Sequence, residues 1–249
     1  MSIPIRLGTR RSALAQAQSG HVAAALEKVT GRRVELVPIV SEGDTNRASL
    51  SVIGGLGIFA TRLREALLAG ECDFLVHSLK DLPTAVPDGL LIAATPIRED
   101  ARDVAITRDG TPLHKLHAGA KIGTGSPRRI AQVHRRAPRA EVVDIRGNVD
   151  SRLARVESGE LDAVILAAAG LSRLGSDTTL AKEYLGLDEW PTAPGQGAWQ
   201  SKPRRMPRLN FSRRSPNSRM SRPASRSPLS AESWRVWMPD AKRRWPRTR

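Results

Sequence analysis

The sequence predicts an α/β fold in two units followed by a segment of another kind, and three observations predict it. Strand and helix patterns alternate from Ile3 to Leu82 and again from Lys121 to Leu171, the polar link Arg98-Glu99-Asp100 separates the two runs, and the composition breaks after Ala198. Residues 199–249 hold 15 Lys and Arg against 2 acids, +13 of the net +15, so residues 1–198 are nearly neutral. That last segment also carries four of the five Trp, three of the four Met and seven of the 17 Pro. Its Arg-Ser-Pro strings, such as Ser212-Arg213-Arg214-Ser215-Pro216, sustain no period, and it is expected to be disordered.

In order, Ile3–Leu7 reads as a strand, and Ser12 opens a helical pattern through Leu14, Val22, Leu26 and Val29 that stops at Gly31. Val34–Val40 is a second strand, Phe59–Ala69 a helix ended by Gly70, and Phe74–His77 a third strand. Pro87-Asp88-Gly89 is a turn, and Leu90–Thr95 and Val104–Thr107 are extended segments flanking the polar link. The second unit runs through strand Lys121–Gly123, helix Arg128–His134, strand Glu141–Ile145, helix Val149–Ser158, strand Ala163–Ala168 and a helix from Leu171.

Composition narrows the function classes. The 198 residues before the break can bury a core, whereas the charge that lifts the pI to about 11.3 sits in the segment least able to fold. Gln16, Gln18, Ser19 and His21 interrupt any apolar signal region near the start, and Ala163 to Leu171 is too short to span a bilayer. The single cysteine, Cys72, excludes an intrachain disulfide, and the expected compartment is cytoplasmic. His114-Lys115-Leu116-His117 has a metal-like spacing but no third ligand, so a polar loop is expected and no metal.

Two α/β units usually enclose a ligand between them, at the carboxyl ends of the strands. Gly123-Thr124-Gly125-Ser126-Pro127-Arg128-Arg129 runs from a strand into a helix there. Small residues let the backbone approach an anion, Ser126 is placed to cap, Pro127 suits the first turn, and two guanidinium forks follow. The same stretch also reads as a capped helix with a solvated basic turn. Arg146 with Gly147-Asn148 and Arg152, then Arg173, follow later strands, while Arg10 with Ser12, and Lys80-Asp81, follow earlier ones. Singly each is an ordinary surface charge; the repeated position makes them candidates for one anion site, with Asp81 its acid.

These segments carry a resemblance. His77-Ser78-Leu79-Lys80-Asp81-Leu82-Pro83, Gly123-Thr124-Gly125-Ser126-Pro127-Arg128-Arg129, Ile145-Arg146-Gly147-Asn148-Val149 and Ala193-Pro194-Gly195-Gln196-Gly197-Ala198 are similar, in order and spacing over residues 3–198, to hydroxymethylbilane synthase, the porphobilinogen deaminase family. The resemblance implies two domains like the type 2 periplasmic-binding-protein fold and a small third domain. It also implies head-to-tail condensation of four porphobilinogen molecules, with loss of ammonia, to a linear tetrapyrrole for haem and related pigments. By it, Asp81 matches the catalytic acid, and Arg10, Ser12, Lys80, Ser126, Arg128, Arg129, Arg146, Arg152 and Arg173 match positions that bind the dipyrromethane cofactor and substrate. The division expected is residues 1–97 with about 189–198, residues 98–188, and the tail 199–249, in a monomer that touches no membrane and meets nucleic acid only non-specifically through its tail.

The chain departs from the family twice. Leu56 stands in Gly54-Gly55-Leu56-Gly57 where members often carry lysine, and no cysteine follows Ala198 to take the primer's thioether. Members usually continue Gly-Gln-Gly-Ala with Leu-Ala-Val-Glu; the codons GCC CTG GCA GTC GAA, less one C, read Ala-Trp-Gln-Ser-Lys or Asn, and the chain reads Ala198-Trp199-Gln200-Ser201-Lys202. Restoring that frame over Trp237-Met238-Pro239-Asp240 yields Asp-Ala and then, for suitable codons, Gly-Cys, the pair of the primer site. A frameshift that replaced the third domain is therefore expected, with no activity left in this chain. Two other classes stay open on the residues: a non-catalytic nucleic-acid-binding protein acting through the tail, and an anion-binding module without turnover.

Overall fold

The computed structural model of the chain describes residues 3–40, 58–84, 88–175 and 178–203. Two α/β lobes are present, as the alternation predicts. In lobe 1 the strands are β1 (Ile5–Arg10), β2 (Val34–Ile39) and β3 (Phe74–Ser78), with helices α1 (Ala13–Thr30) and α2 (Ile58–Leu68) between them. Strand β9 (Trp199–Pro203) joins them in a sheet of order β2-β1-β3-β9, parallel except for β9. Period two along β3 explains the layering. Phe74 and Val76 face α1 with Ile5, Leu7, Val22 and Leu26, while Leu75 faces α2 with Ile39, Leu63, Leu67 and Cys72.

Lobe 2 is a five-stranded sheet of order β6-β5-β7-β4-β8. Its strands are β4 (Asp103–Thr107), β5 (Lys121–Gly123), β6 (Glu141–Val143), β7 (Ala163–Ala167) and β8 (Ala181–Leu185). Helices α3 (Pro127–Arg136), α4 (Val149–Glu157) and α5 (Ala168–Leu174) connect them. Along β7, Val164 and Leu166 pack with Ile145, Leu153 and Val156 on one face, and Ala163 and Ile165 with Ile122, Val133 and Trp190 on the other. Burial on both faces is why this strand reads as a continuous apolar run.

The structure corrects several expectations. Leu90–Thr95 is no strand, though Ala94 bridges Ser201; β8 was not foreseen; and α5 begins three residues before Leu171. The sheet of lobe 1 continues past Ala198, because β9 pairs with the whole of β3, from Ser78 opposite Trp199 to Phe74 opposite Pro203. Ladder hydrogen bonds are made by the backbone, so the slot beside β3 accepts a strand whatever its side chains. Trp199 Nε1 and Ser201 Oγ are buried with no hydrogen-bond partner among the described residues, as are atoms of Arg32, Arg64 and Gln132 elsewhere in the fold. Leu56 and residues 204–249 lie outside the described residues, and with them the expected disorder of the tail.

The return from lobe 2 to lobe 1 turns on two glycines. Gly195 and Gly197 have φ of 74° and 81°, and a Cβ at Gly197 would stand 2.5 Å from the Glu99 carbonyl oxygen. Gly197→Ala is therefore expected to lower stability by about 1–3 kcal/mol from the left-handed backbone alone, with the steric term added. Urea unfolding measures it, and a loss under about 0.5 kcal/mol would show that the crossover relaxes freely.

Candidate active site

Strand β1 ends at Arg10, and Ser12 then caps α1, its hydroxyl accepting from the Ala15 N–H at 3.4 Å. Strand β3 ends in a short 3₁₀ turn, Leu79–Asp81, that sets Lys80 and Asp81 at the same edge of the sheet. One pocket is lined by Arg10, Ser12, Gln18, His77, Ser78 and Asp81, so three of the residues singled out in the sequence meet in lobe 1. Gln18 and Ser78, hydrogen bonded at 3.3 Å, form part of its wall.

In lobe 2 the small-residue loop after β5 leads into α3 with Pro127 at its first position. Ser126 occupies the cap position, but its side chain makes no capping bond, contrary to the expectation; its N–H instead donates to the Thr124 hydroxyl at 3.3 Å. The N-cap that does form is Asn148 on α4, accepting from the Ser151 N–H at 2.8 Å. It steadies the turn that carries Arg146 and Arg152, and Arg152 Nε donates to the Gly147 carbonyl at 3.0 Å.

Arg128 and Arg129 both turn to a residue that the sequence reading left unassigned. Asp103, the first residue of β4, is wholly buried and accepts from Arg128 at 2.8 Å and from Arg129 at 3.1 and 2.6 Å. Trp190 Nε1 and Gln196 Nε2 complete its shell at 3.0 and 2.8 Å. Burial alone would push this carboxyl up; the Arg129 guanidinium, with Gln196 and Arg128, holds it far below the usual carboxylate range instead. The available signal was an acid opening the apolar strand Val104-Ala105-Ile106, and it was masked by the neighbouring charges of Arg98 to Arg102.

Electrostatics ties the cations of the two lobes together. Burial, then the charges of Arg129 and Arg128, push the half-buried Lys80 amine down to about 8, partly opposed by Asp81 and Asp103. It stays predominantly cationic at neutral pH. Arg152 is lowered by burial and then by Arg129 and Arg146. Lys80, Arg128, Arg129, Arg146 and Arg152 thus share one field, with few acids to neutralise it. Arg173 stands apart: its guanidinium donates to the Gly197 carbonyl at 2.6 Å and lies 4.4 Å over the Trp199 ring, with burial lowering its pKa to about 10.

Two further expectations concern groups outside the site. Cys72 is buried between the sheet and α2, and burial beside Asp73 raises its thiol to about 11. His117 meets Asp162 at 3.6 Å, and among the described residues no three His, Cys, Asp or Glu side chains gather as metal ligands.

Residues 5–205 match the family model described as porphobilinogen deaminase, dipyromethane cofactor binding domain. The porphobilinogen deaminase of Leifsonia xyli subsp. xyli is 56% identical over 194 residues, covering 78% of this chain and 59% of the relative. Proteins named porphobilinogen deaminase 1 from Streptomyces avermitilis and Streptomyces coelicolor are 58% and 57% identical, each over 78% of this chain and 62% of their own length. The chain thus spans about three fifths of the curated relatives it matches. Among solved structures, the periplasmic aliphatic sulphonate binding protein of Escherichia coli aligns over 82% of this chain and 62% of its own, at 13% identity and a TM-score of 0.47.

Proposed function

The chain belongs to the porphobilinogen deaminase family, and from that premise we propose that its two lobes are the substrate-binding body of an enzyme that condenses four porphobilinogen molecules, with release of ammonia, to hydroxymethylbilane. The observation that carries this reading is the shared field of Lys80, Arg128, Arg129, Arg146 and Arg152 beside a pocket holding Arg10, Ser12 and Asp81. Each porphobilinogen brings an acetate and a propionate, so a growing chain multiplies carboxylates, and fixed guanidinium forks hold them in register. Loss of ammonia leaves an electron-poor methylene-pyrrole cation. A carboxylate at Asp81 near the pyrrole N–H stabilises it and steers the proton released when the next ring is joined.

The cations suit the carboxylates of a dipyrromethane, but no side chain of the described residues is placed to anchor one. The only thiol, Cys72, lies in the core of lobe 1. No step of the reaction is therefore assigned through that group in this chain. We further propose that a frameshift after Ala198 accounts for both the missing thiol and the change of composition in residues 199–249. The nucleotide sequence across codons 195–202 decides this, and an in-frame Trp codon with no neighbouring deletion relative to close relatives would overturn it.

No helix of the described residues is long and apolar enough to cross a membrane. A monomer in the cytoplasm, touching nucleic acid only non-specifically through residues 199–249, is part of the same proposal. The activity test uses a version continued in the family's frame after Ala198. It is expected to consume porphobilinogen and release ammonia; a well-folded version that does neither would sink the reading.

The arginine pair divides under mutation. Arg129→Leu removes the bidentate partner of a wholly buried carboxylate and is expected to cost about 3–5 kcal/mol of stability, whereas Arg128→Leu, whose side chain is 27% exposed, is expected to fold and to bind carboxylates less tightly. Thermal unfolding beside titration with porphobilinogen separates the two effects. Equal stability of both variants would refute the division.

A further inference from the structure

We propose that Asp103, acting through Gln196, is the positioning residue that locks the cations of both lobes into one constellation and so sets where the carboxylates of a ligand dock. The proposal rests on the carboxylate-binding role given above to Arg128 and Lys80. It assigns a function to two buried residues, neither of which lines the pocket around Asp81.

The geometry leaves Asp103 no other work. An ionised carboxylate offers about four lone-pair sites, and Asp103 receives five N–H contacts from Arg128, Arg129, Trp190 and Gln196 at 2.6–3.1 Å. It has no capacity left to accept a substrate proton, and it is reached by no solvent. Its effect is on its donors. Arg129 spends Nε and both terminal nitrogens on Asp103 and the Ile165 carbonyl, so its plane is fixed. Arg128 gives one N–H to Asp103 and one to the Pro191 carbonyl, which leaves the rest of its five donors on a partly exposed fork already aimed.

Gln196 carries the arrangement across to lobe 1. Its Nε2 donates to Asp103 at 2.8 Å and to the carbonyls of Ala101 and Arg102 at 2.9 and 3.3 Å, three acceptors that only the amide nitrogen can satisfy. Its Oε1 must then point the other way, and there it accepts from Lys80 Nζ at 3.4 Å. Gln196 is itself buried at 1% exposure, in the crossover framed by Gly195 and Gly197. A path of hydrogen bonds therefore runs from Lys80, beside Asp81, through Gln196 and Asp103 to Arg128 and Arg129.

Positioning and charge make opposite predictions, which permits a test by sign. Removing a negative charge beside cations should tighten the binding of an anion if Asp103 only neutralises them; it should weaken binding if Asp103 positions them. The experiment titrates the 249-residue chain and its Asp103→Asn and Gln196→Leu variants with benzene-1,3,5-tricarboxylate by calorimetry, with circular dichroism to verify folding. Asp103→Asn and Gln196→Leu are each expected to lower affinity about tenfold, the value of one charged hydrogen bond lost. A second arm follows the Lys80 amine by isotope-labelled reductive methylation as pH is varied, with Asp81, Asp103, Arg128 and Arg129 the charges that face it. Its titration is expected to move downward in both variants.

Unchanged or tighter binding by folded variants overturns the proposal, as does a Lys80 titration that stays unmoved in Gln196→Leu, which removes no charge. Should Asp103→Asn fail to fold, Gln196→Leu decides, because it leaves the Asp103 pairs with both arginines in place. If the parent chain binds no tricarboxylate at all, the carboxylate-seat reading falls, and the Lys80 titration in Gln196→Leu, which keeps the Asp103 charge, still decides whether Gln196 couples the lobes.

Discussion

Incubated with porphobilinogen, the 249-residue chain is expected to form no hydroxymethylbilane and to gain no dipyrromethane mass, even with both lobes folded. A thioether forms from a thiolate, and the chain's one thiol is doubly unsuited. Cys72 is 2% exposed, among Ile39, Leu63, Leu67 and Leu75, so a pyrrole has no path to its sulfur. Its thiol, raised to about 11 by burial, is ionised at neutral pH only to about one part in 10⁴. The colour test for a dipyrromethane and intact-mass spectrometry read the outcome directly. A mass increment matching a dipyrromethane on Cys72, accompanied by turnover, would overturn both the inactivity and the frameshift. The version continued in the family's frame supplies the positive control.

In that frame-continued version, Asp81→Ala is expected to retain a bound primer and lose turnover by about 10²–10⁴-fold. Asp81 ends the turn after β3, is exposed, and shares its pocket with Arg10, Ser12, Gln18 and His77. It makes no ion pair among the described residues that its loss would break, so stability should be nearly unchanged while kcat falls. Asp81→Glu, which keeps the charge on a longer arm, should recover part of the rate. A loss below threefold in the alanine variant reassigns Asp81 to the wall of the pocket.

Where local chemistry and tertiary packing agree, the sequence was readable. Ser12 and Gly31 mark the ends of α1 because capping is a matter of a few residues, and Pro127 marks the start of α3 for the same reason. The cations at strand ends were legible as a set because α/β topology puts those ends at one edge. Asp103 was not, since its meaning depends on Arg128, Trp190 and Gln196, which lie 25 to 93 positions away. Neither β8 nor β9 has a clear alternating pattern: Lys182 and Tyr184 flank Glu183 in the first, and the second has polar residues turned inward. Arg173, also at a strand's end, lies over the Trp199 ring, a contact that its sequence neighbours do not signal.

The pairing of β3 with β9 also fixes an order of events during synthesis. All five strands of lobe 2 lie between Asp103 and Leu185, so that lobe can close once its own residues have left the ribosome. Lobe 1, begun first, waits for Pro203 to meet Phe74. At about 5–20 residues per second, the intervening chain takes roughly ten seconds to appear. Loop closure over that span costs little in equilibrium stability but slows the search. Throughout the wait the strand Phe74–Ser78, four of whose five residues are buried in the finished fold, presents an unpaired edge. Misassembly of this protein should therefore start from its first lobe, at that edge, and a chaperone that shields one strand would be enough to prevent it.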